Sequence, residues 1–239
     1  MMDLSQLSDG VEQTGGIGFI PKMPPVCVIV RVIACLVLAW QPSSVLAADE
    51  DTQLWIYAIT TGEIGDGTTL TADATARWRE DARGDEQQTL RVNIMHAIAD
   101  AVSIGGGAGI FEAGGSTELR PHQQIDIKLG RFSSRTRLEQ RFIDGADRMG
   151  MRLRQRLSYA QGVSTLLTAR LDAEYLNIIR STSRGENQAR DQWRGRILLS
   201  ASLNERLSMG AAYLYIHTPR PNADDRTNHV PQAIMTYRF

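Results

Sequence analysis

The sequence predicts an all-β chain: a transmembrane antiparallel up-and-down β-barrel of 10 to 12 strands, exported by a cleavable N-terminal signal peptide. Three observations predict it. The last eleven residues alternate in polarity and stop on an aromatic, Phe239. The chain beyond residue 51 repeats that alternation and stacks arginines on one face of successive segments. The first 47 residues read as an export leader.

The closing segment runs from His229 to Phe239. Counting back in twos puts Phe239, Tyr237, Met235 and Ala233 on one face and Arg238, Thr236 and Gln232 on the other, with Ile234 the exception. Side chains in a strand have a period of two, so this is a greasy face backed by a mostly wet one. Such an ending resembles the closing strand of bacterial outer-membrane barrels. It marks Ala233, Met235, Tyr237 and Phe239 as the candidate signal for the barrel-insertion machinery.

The leader has three parts. Residues 1–22 are polar and precede Met23, which reads as the true start, with the upstream stretch a non-native extension. Residues 23–47 form the signal peptide, and 48–239 the barrel. Val45 and Ala47 are small residues at the spacing a signal peptidase reads, so cleavage falls after Ala47, with Ala48 the alternative. The apolar run from Val32 to Trp40 is far short of the roughly 20 residues that span a bilayer as a helix. This weighs against a retained anchor. Val32-Ile33-Ala34-Cys35 is similar to a lipobox, but most of the apolar run follows that cysteine. Cleavage removes both cysteines, Cys27 and Cys35, so disulfides and thiolate metal sites are excluded from the mature chain. Of the 26 basic and 27 acidic residues, two and three leave with the leader. The remainder balances, and bulk charge implies no nucleic-acid partner.

Eleven segments with period-two patterning follow, at about 53–61, 68–79, 88–97, 101–112, 121–130, 133–142, 149–160, 163–176, 191–203, 205–217 and 228–239. In the sixth, Arg135, Arg137, Glu139 and Arg141 share one face and Thr136, Leu138, Gln140 and Phe142 the other. The seventh sets Arg152, Arg154 and Arg156 against Leu153, Leu157 and Tyr159. The eighth sets Arg170, Asp172 and Glu174 against Leu171, Ala173 and Tyr175. A water-soluble sandwich also alternates, but its wet face mixes Thr, Ser, Lys and Glu. A barrel in lipid instead needs apolar residues outside, polar ones inside and no open edge. Short connections near Ala99–Ala101, Gly130–Ser133, Ala160–Gly162 and Asn204–Arg206 alternate with longer ones at Glu80–Glu86, Ala113–Arg120, Ile143–Arg148, Asn177–Asp191 and Thr218–Asn228. These are the periplasmic turns and outer loops of such barrels. An even strand number is expected. It makes ten strands if 53–61 lies apart, or twelve if one segment is hidden.

Three stretches carry a family resemblance: Asp51-Thr52-Gln53-Leu54-Trp55; SSRTRLEQRFIDG from Ser133 to Gly145 with RLRQRLSY from Arg152 to Tyr159; and RTNHV from Arg226 to Val230. Together they resemble the bacterial family known as domain of unknown function 2490, across about Asp51 to Phe239, with SRTRLEQRF the most specific part. The resemblance implies an outer-membrane-like barrel with no established activity, and it transfers no catalytic residues. The chain departs from the pattern at Glu118–Gln124, where Pro121 stands at a strand start beside His122.

No catalytic, cofactor or metal site is singled out by spacing. A lipid-modifying barrel enzyme would need a serine and a histidine in reach on the outer surface, and none of His96, His122, His217 and His229 has such a partner by spacing. Gly105-Gly106-Gly107 and Gly109 are not a phosphate loop, because no helix follows, and they mark a bend or close packing within a strand. The arginine face is the strong signal. Parity also sends Arg77, Arg91, Arg194, Arg196 and Arg238 inward, with Asp73 and Asp126. The simpler reading is a plugged interior, in which arginines and carboxylates pair and the barrel serves as a structural or interaction module. The alternative is a narrow pore preferring small anionic solutes. Outer-membrane lipid and the insertion machinery are the expected partners.

Overall fold

Alternation of this kind folds as strands wherever the two faces meet different surroundings. The computed structural model of the protein describes residues 49–79, 86–184, 191–220 and 223–239. The expected extension, signal peptide and cleavage residues Val45 and Ala47 lie outside the described residues. The strands are β1 (Asp49–Thr52), β2 (Leu54–Gly65), β3 (Thr68–Trp78), β4 (Gln87–Ala99), β5 (Val102–Ala113), β6 (Ser116–Leu129), β7 (Phe132–Ile143), β8 (Gly150–Gly162), β9 (Leu167–Arg180), β10 (Gln192–Ser202), β11 (Leu207–Thr218) and β12 (Arg226–Arg238). Sequence neighbours from β2 to β12 are neighbours in one sheet, each pair antiparallel, and β12 returns to pair with β2. The sheet is closed.

The closure is parallel. Asp51 stands opposite Asn228 and Trp55 opposite Gln232, a single register through β1 and β2. Between them the Gln53 N–H donates to the His229 carbonyl at 2.9 Å. Thus β1 and β2 act as one wall strand, and among the described residues the wall has eleven strands rather than ten or twelve. The first segment neither lies apart nor lacks a neighbour. In a meander with an odd number of strands the last strand runs in the same direction as the first, so the two can close only in parallel.

The two rims differ. Links of two residues (66–67, 100–101, 130–131) and four residues (163–166, 203–206) join strands at one rim. At the other the connections span 79–86, 144–149, 181–191 and 219–225. The expected loop at Ala113–Arg120 is instead a tight turn, Gly114-Gly115, with φ of 56° and 73°. Two successive left-handed residues match the twist of a hairpin, and glycine takes them without strain. The rest of that stretch is strand. Similarly β9 runs on to Arg180, which shortens the expected Asn177–Asp191 loop. Pro121 sits inside β6, not at its start. Pairing with β7 lapses at Arg120 and Pro121, where no proline N–H is available, and resumes in the same register at His122.

Outward side chains are largely exposed aliphatics: Ile56, Leu90, Val92, Ile94, Ile110, Ile125, Leu157, Leu171 and Ile197. Aromatics ring both ends. Phe132, Tyr159, Tyr237 and Phe239 lie towards the short-turn rim, and Trp78, Phe142, Tyr175, Trp193 and Tyr215 towards the long-loop rim. The packed apolar core lies inside the barrel at the seam: Trp55, Leu214, Ile216 and Val230, with Tyr57 against them.

Candidate functional site

The candidate site is the lumen. On β7, Arg135, Arg137, Glu139 and Arg141 point inward; on β8, Arg152, Arg154 and Arg156; on β9, Arg170, Asp172 and Glu174. Register places Arg137 opposite Arg154 and Arg135 opposite Arg156. Like charges so placed repel, and the guanidiniums reach instead to carboxylates on adjacent positions. Glu139 accepts from Arg152 at 2.5 and 2.8 Å and from Arg154 at 2.9 Å, with Arg137 at 3.8 Å. Glu174 accepts from Arg154 at 2.7 Å and has Arg194 at 3.5 Å. Asp172 holds Arg170 at 2.8 Å, Arg196 at 2.7 Å and the Ser158 hydroxyl at 2.6 Å. Asp126 pairs with Arg135 at 3.0 Å, and Asp73 with Arg91 at 2.9 Å. Arg137 itself donates to the side-chain oxygen of Gln124 at 2.5 and 2.8 Å.

Two further members, Glu118 and Arg120, were hidden in the expected loop. Glu118 is gripped by Arg120 and Arg141, each at 2.6 Å. Parity carried back from Asp126 through Gln124 and His122 would have found them, had Pro121 not suggested a strand start. His122 is buried and bonds through Nε2 to Asn93 Oδ1 at 2.9 Å. That bond crosses over β5, as does Gln124 to the Met95 sulfur at 3.5 Å. Both are possible because inward Gly105 and Gly107 leave the lane between β4 and β6 empty. A Cβ at Gly107 would lie 2.0 Å from the Val92 carbonyl oxygen. This is the close packing the glycine run encodes.

A cavity of about 570 Å³ lies within this wall. Among the described residues twelve arginines line it and four carboxylates, Asp73, Glu118, Asp172 and Glu174. The opposite side is different in kind. Trp55, Tyr57, Ile59, Leu214 and Ile234 face the same cavity. The Arg77 guanidinium lies over Trp55 at 4.1 Å, and that of Arg120 over Phe111 at 3.6 Å. The apolar lumen residues of β11 escape parity reading because Gly210–Ile216 is apolar on both faces.

The four closing-strand residues Ala233, Met235, Tyr237 and Phe239 face outward on β12 and beyond its end. The Phe239 ring covers Gly62 across the seam, where an added Cβ would meet it at 2.6 Å. Other outer positions are polar and satisfy one another: Gln140 with Gln123 at 2.8 Å, and Gln155 with Thr136 and Ser134. His96 bonds to Thr68 near the short-turn rim, and His229 pairs with Tyr213 towards the other. Among the described residues no group of three or more His, Cys, Asp or Glu could hold a metal ion.

Among solved structures, the chain is similar to the KdgM porin, with 12% identity and a TM-score of 0.46 over 66% of this chain and 81% of that one. It is also similar to the NanC porin, with 9% identity and a TM-score of 0.47 over 67% and 86%. Among curated proteins it is 32% identical over 121 residues to the uncharacterized protein MexAM1_META1p0181 of Methylorubrum extorquens, covering 46% of this chain. The match spans about half of that relative, 53% of its length. The family model described as "Protein of unknown function (DUF2490)" matches residues 52–228, and the chain belongs to that family.

Proposed function

We propose that the protein is an outer-membrane β-barrel whose lumen is a narrow, anion-preferring passage for small solutes. A closed sheet with an aliphatic outer face between two aromatic girdles suits a bilayer, because closure leaves no open edge to meet lipid. In this reading residues 23–47 direct export and are removed, short turns face the periplasm and long loops face outward. The observation that carries the function is the cavity of about 570 Å³, lined among the described residues by twelve arginines against four carboxylates. Charge of one sign behind low-dielectric walls concentrates counter-ions and repels co-ions.

A second reading, the structural or interaction barrel with a plugged lumen, draws on the pairing itself. Asp73, Glu118, Asp126, Glu139, Asp172 and Glu174 each have an arginine nitrogen within 3.0 Å. Pairing that satisfies the carboxylates still leaves a surplus of guanidiniums, and this surplus favours the passage. Planar-bilayer recording on refolded mature protein under a potassium chloride gradient tests it. The expected result is steady conductance with a reversal potential on the chloride side. Folded, inserted protein that does not conduct would replace the passage with the plug.

A further inference from the structure

We infer that the lumen binds an organic anion with one flat apolar face, its charge held at Arg156 and its face laid on the wall formed by Tyr57, Ile59 and Ile234. The inference rests on the reading that solutes enter the lumen, and it names their chemical class.

Arg156 is the guanidinium that the network leaves over. Its register partners are Arg135 and Glu174. Glu174 is already engaged by Arg154 at 2.7 Å, with Arg194 at 3.5 Å. The next carboxylates are engaged too: Asp126 by Arg135 at 3.0 Å, and Asp172 by Arg170 and Arg196 at 2.8 and 2.5 Å. Among the described residues no carboxylate reaches Arg156, and its Nε is buried without a hydrogen-bond partner. A buried donor left unmade is costly, more so when charged. An oxyanion entering the cavity would supply the missing acceptor, with Arg135 beside it.

One wall of the cavity offers nothing to a bare inorganic ion. Apart from Gln232, the lining residues of β2, β11 and β12 are apolar or aromatic, and β7 lies five strands from the β12–β2 seam in either direction. The cationic wall centred on β7 and β8 therefore faces the apolar one across a single cavity. Its volume, about 570 Å³, lies among pockets that enclose small organic ligands, roughly 300–1,000 Å³. A wholly polar anion would leave Tyr57, Ile59 and Ile234 against water. A ring carrying carboxylates would cover them.

The test compares two trianions that differ in the ring, benzene-1,3,5-tricarboxylate and propane-1,2,3-tricarboxylate, by calorimetric titration into the refolded mature barrel in detergent. The ring-bearing anion is expected to bind at least about tenfold more tightly. Tyr57→Ser should remove that preference while leaving the weaker ligand's affinity unchanged. Arg156→Met should abolish saturable binding of both. It should also leave the denaturation midpoint unchanged or higher, because it removes an unpaired buried donor. Equal affinities, absence of saturable binding, or a lower midpoint for Arg156→Met would each overturn the inference. Binding with ring preference in a barrel that does not conduct would remove the passage and keep this site. Conductance without ring preference would do the reverse.

Discussion

Glu139→Gln isolates the electrostatic centre of the wall. Glu139 is 3% exposed and accepts from Arg152 at 2.5 and 2.8 Å and from Arg154 at 2.9 Å, with Arg137 3.8 Å away. The amide keeps the shape and one acceptor but no charge. Arg154 retains Glu174, and Arg137 retains Gln124. Among the described residues Arg152 alone loses a hydrogen-bonded carboxylate with no other acceptor in reach, while Arg137 loses an ion partner 3.8 Å away but keeps Gln124. Breaking a buried pair by removing one partner costs about 3–5 kcal/mol, because the other charge stays buried. With one orphan, the lower end, about 3 kcal/mol, is expected. Asp126→Asn is the control. Its pair with Arg135 has the same chemistry at 3.0 Å, but the two side chains are 30% and 33% exposed. Such a pair is worth about 0–1 kcal/mol after solvent screening. Urea unfolding of the refolded barrel, followed by tryptophan fluorescence and heat-modifiable gel migration, reads both. At a slope of about 2 kcal/mol per molar, Glu139→Gln should lower the midpoint by about 1.5 M and Asp126→Asn by less than about 0.5 M. Equal shifts for the two would refute the idea that burial, and not pairing alone, sets the strength of the network.

Three other substitutions address separate parts of the molecule. Gly107→Val should abolish refolding to the heat-modifiable form, because a Cβ there would sit 2.0 Å from a backbone oxygen that cannot swing away. Recovery of folded barrel would show that the lane between β4 and β6 is not needed. Leu157→Arg places a charge on the outer face at the middle of β8, where Leu157 is 58% exposed, and should cost about 2–4 kcal/mol in lipid vesicles. A neutral effect would mean that this face does not meet lipid. Deleting Phe239 removes the ring over Gly62 and the N–H that donates to the Thr61 carbonyl at 3.2 Å. Outer-membrane levels should fall with export from the cytoplasm unchanged, and unaltered levels would deny the ending any role in insertion.

Much of this architecture is legible because a strand has only two faces. A single anchor such as Arg137 fixes the side of every other residue in β7, and a tight link to β8 carries the assignment to Arg152, Arg154 and Arg156. The family-like stretches were more informative than their resemblance. SRTRLEQRF and RLRQRLSY pair with each other along β7 and β8. Asp51–Trp55 and Arg226–Val230 are the two sides of the parallel seam. Nothing local could announce that second pairing, since its partners are separated by almost the whole chain. Pro121 misled for a local reason: a proline reads as a boundary, yet β6 tolerates it where the ladder to β7 lapses. The partner choice of each arginine was also beyond the sequence. Parity gives a side chain its face, whereas whether Arg154 or Arg156 reaches Glu174 depends on strand tilt.

The seam and the apolar side of the lumen share residues. A parallel ladder is slightly weaker per residue than an antiparallel one, and here it must hold the barrel shut. The inner face at that point is built for adhesion rather than solvation. Trp55, Leu214, Ile216 and Val230 are buried together, and burying an aliphatic side chain of that size contributes about 1.5–3 kcal/mol. A short polar chain continues the join: the Trp55 indole donates to Gln53 at 2.9 Å, and the Gln53 and Asn228 amides both donate to Asp51, at 2.6 and 2.9 Å. Outside, Phe239 covers Gly62. Inside, the Arg77 guanidinium lies over the Trp55 ring at 4.1 Å, whereas a ladder of arginines would bring more carboxylates or water into the join. The charged ladder is densest on the far wall around β7 and β8 and thins through β3, β4 and β10 towards the seam. Trp55, Tyr57 and Leu214 thus serve twice, packing the seam and forming the apolar side of the lumen.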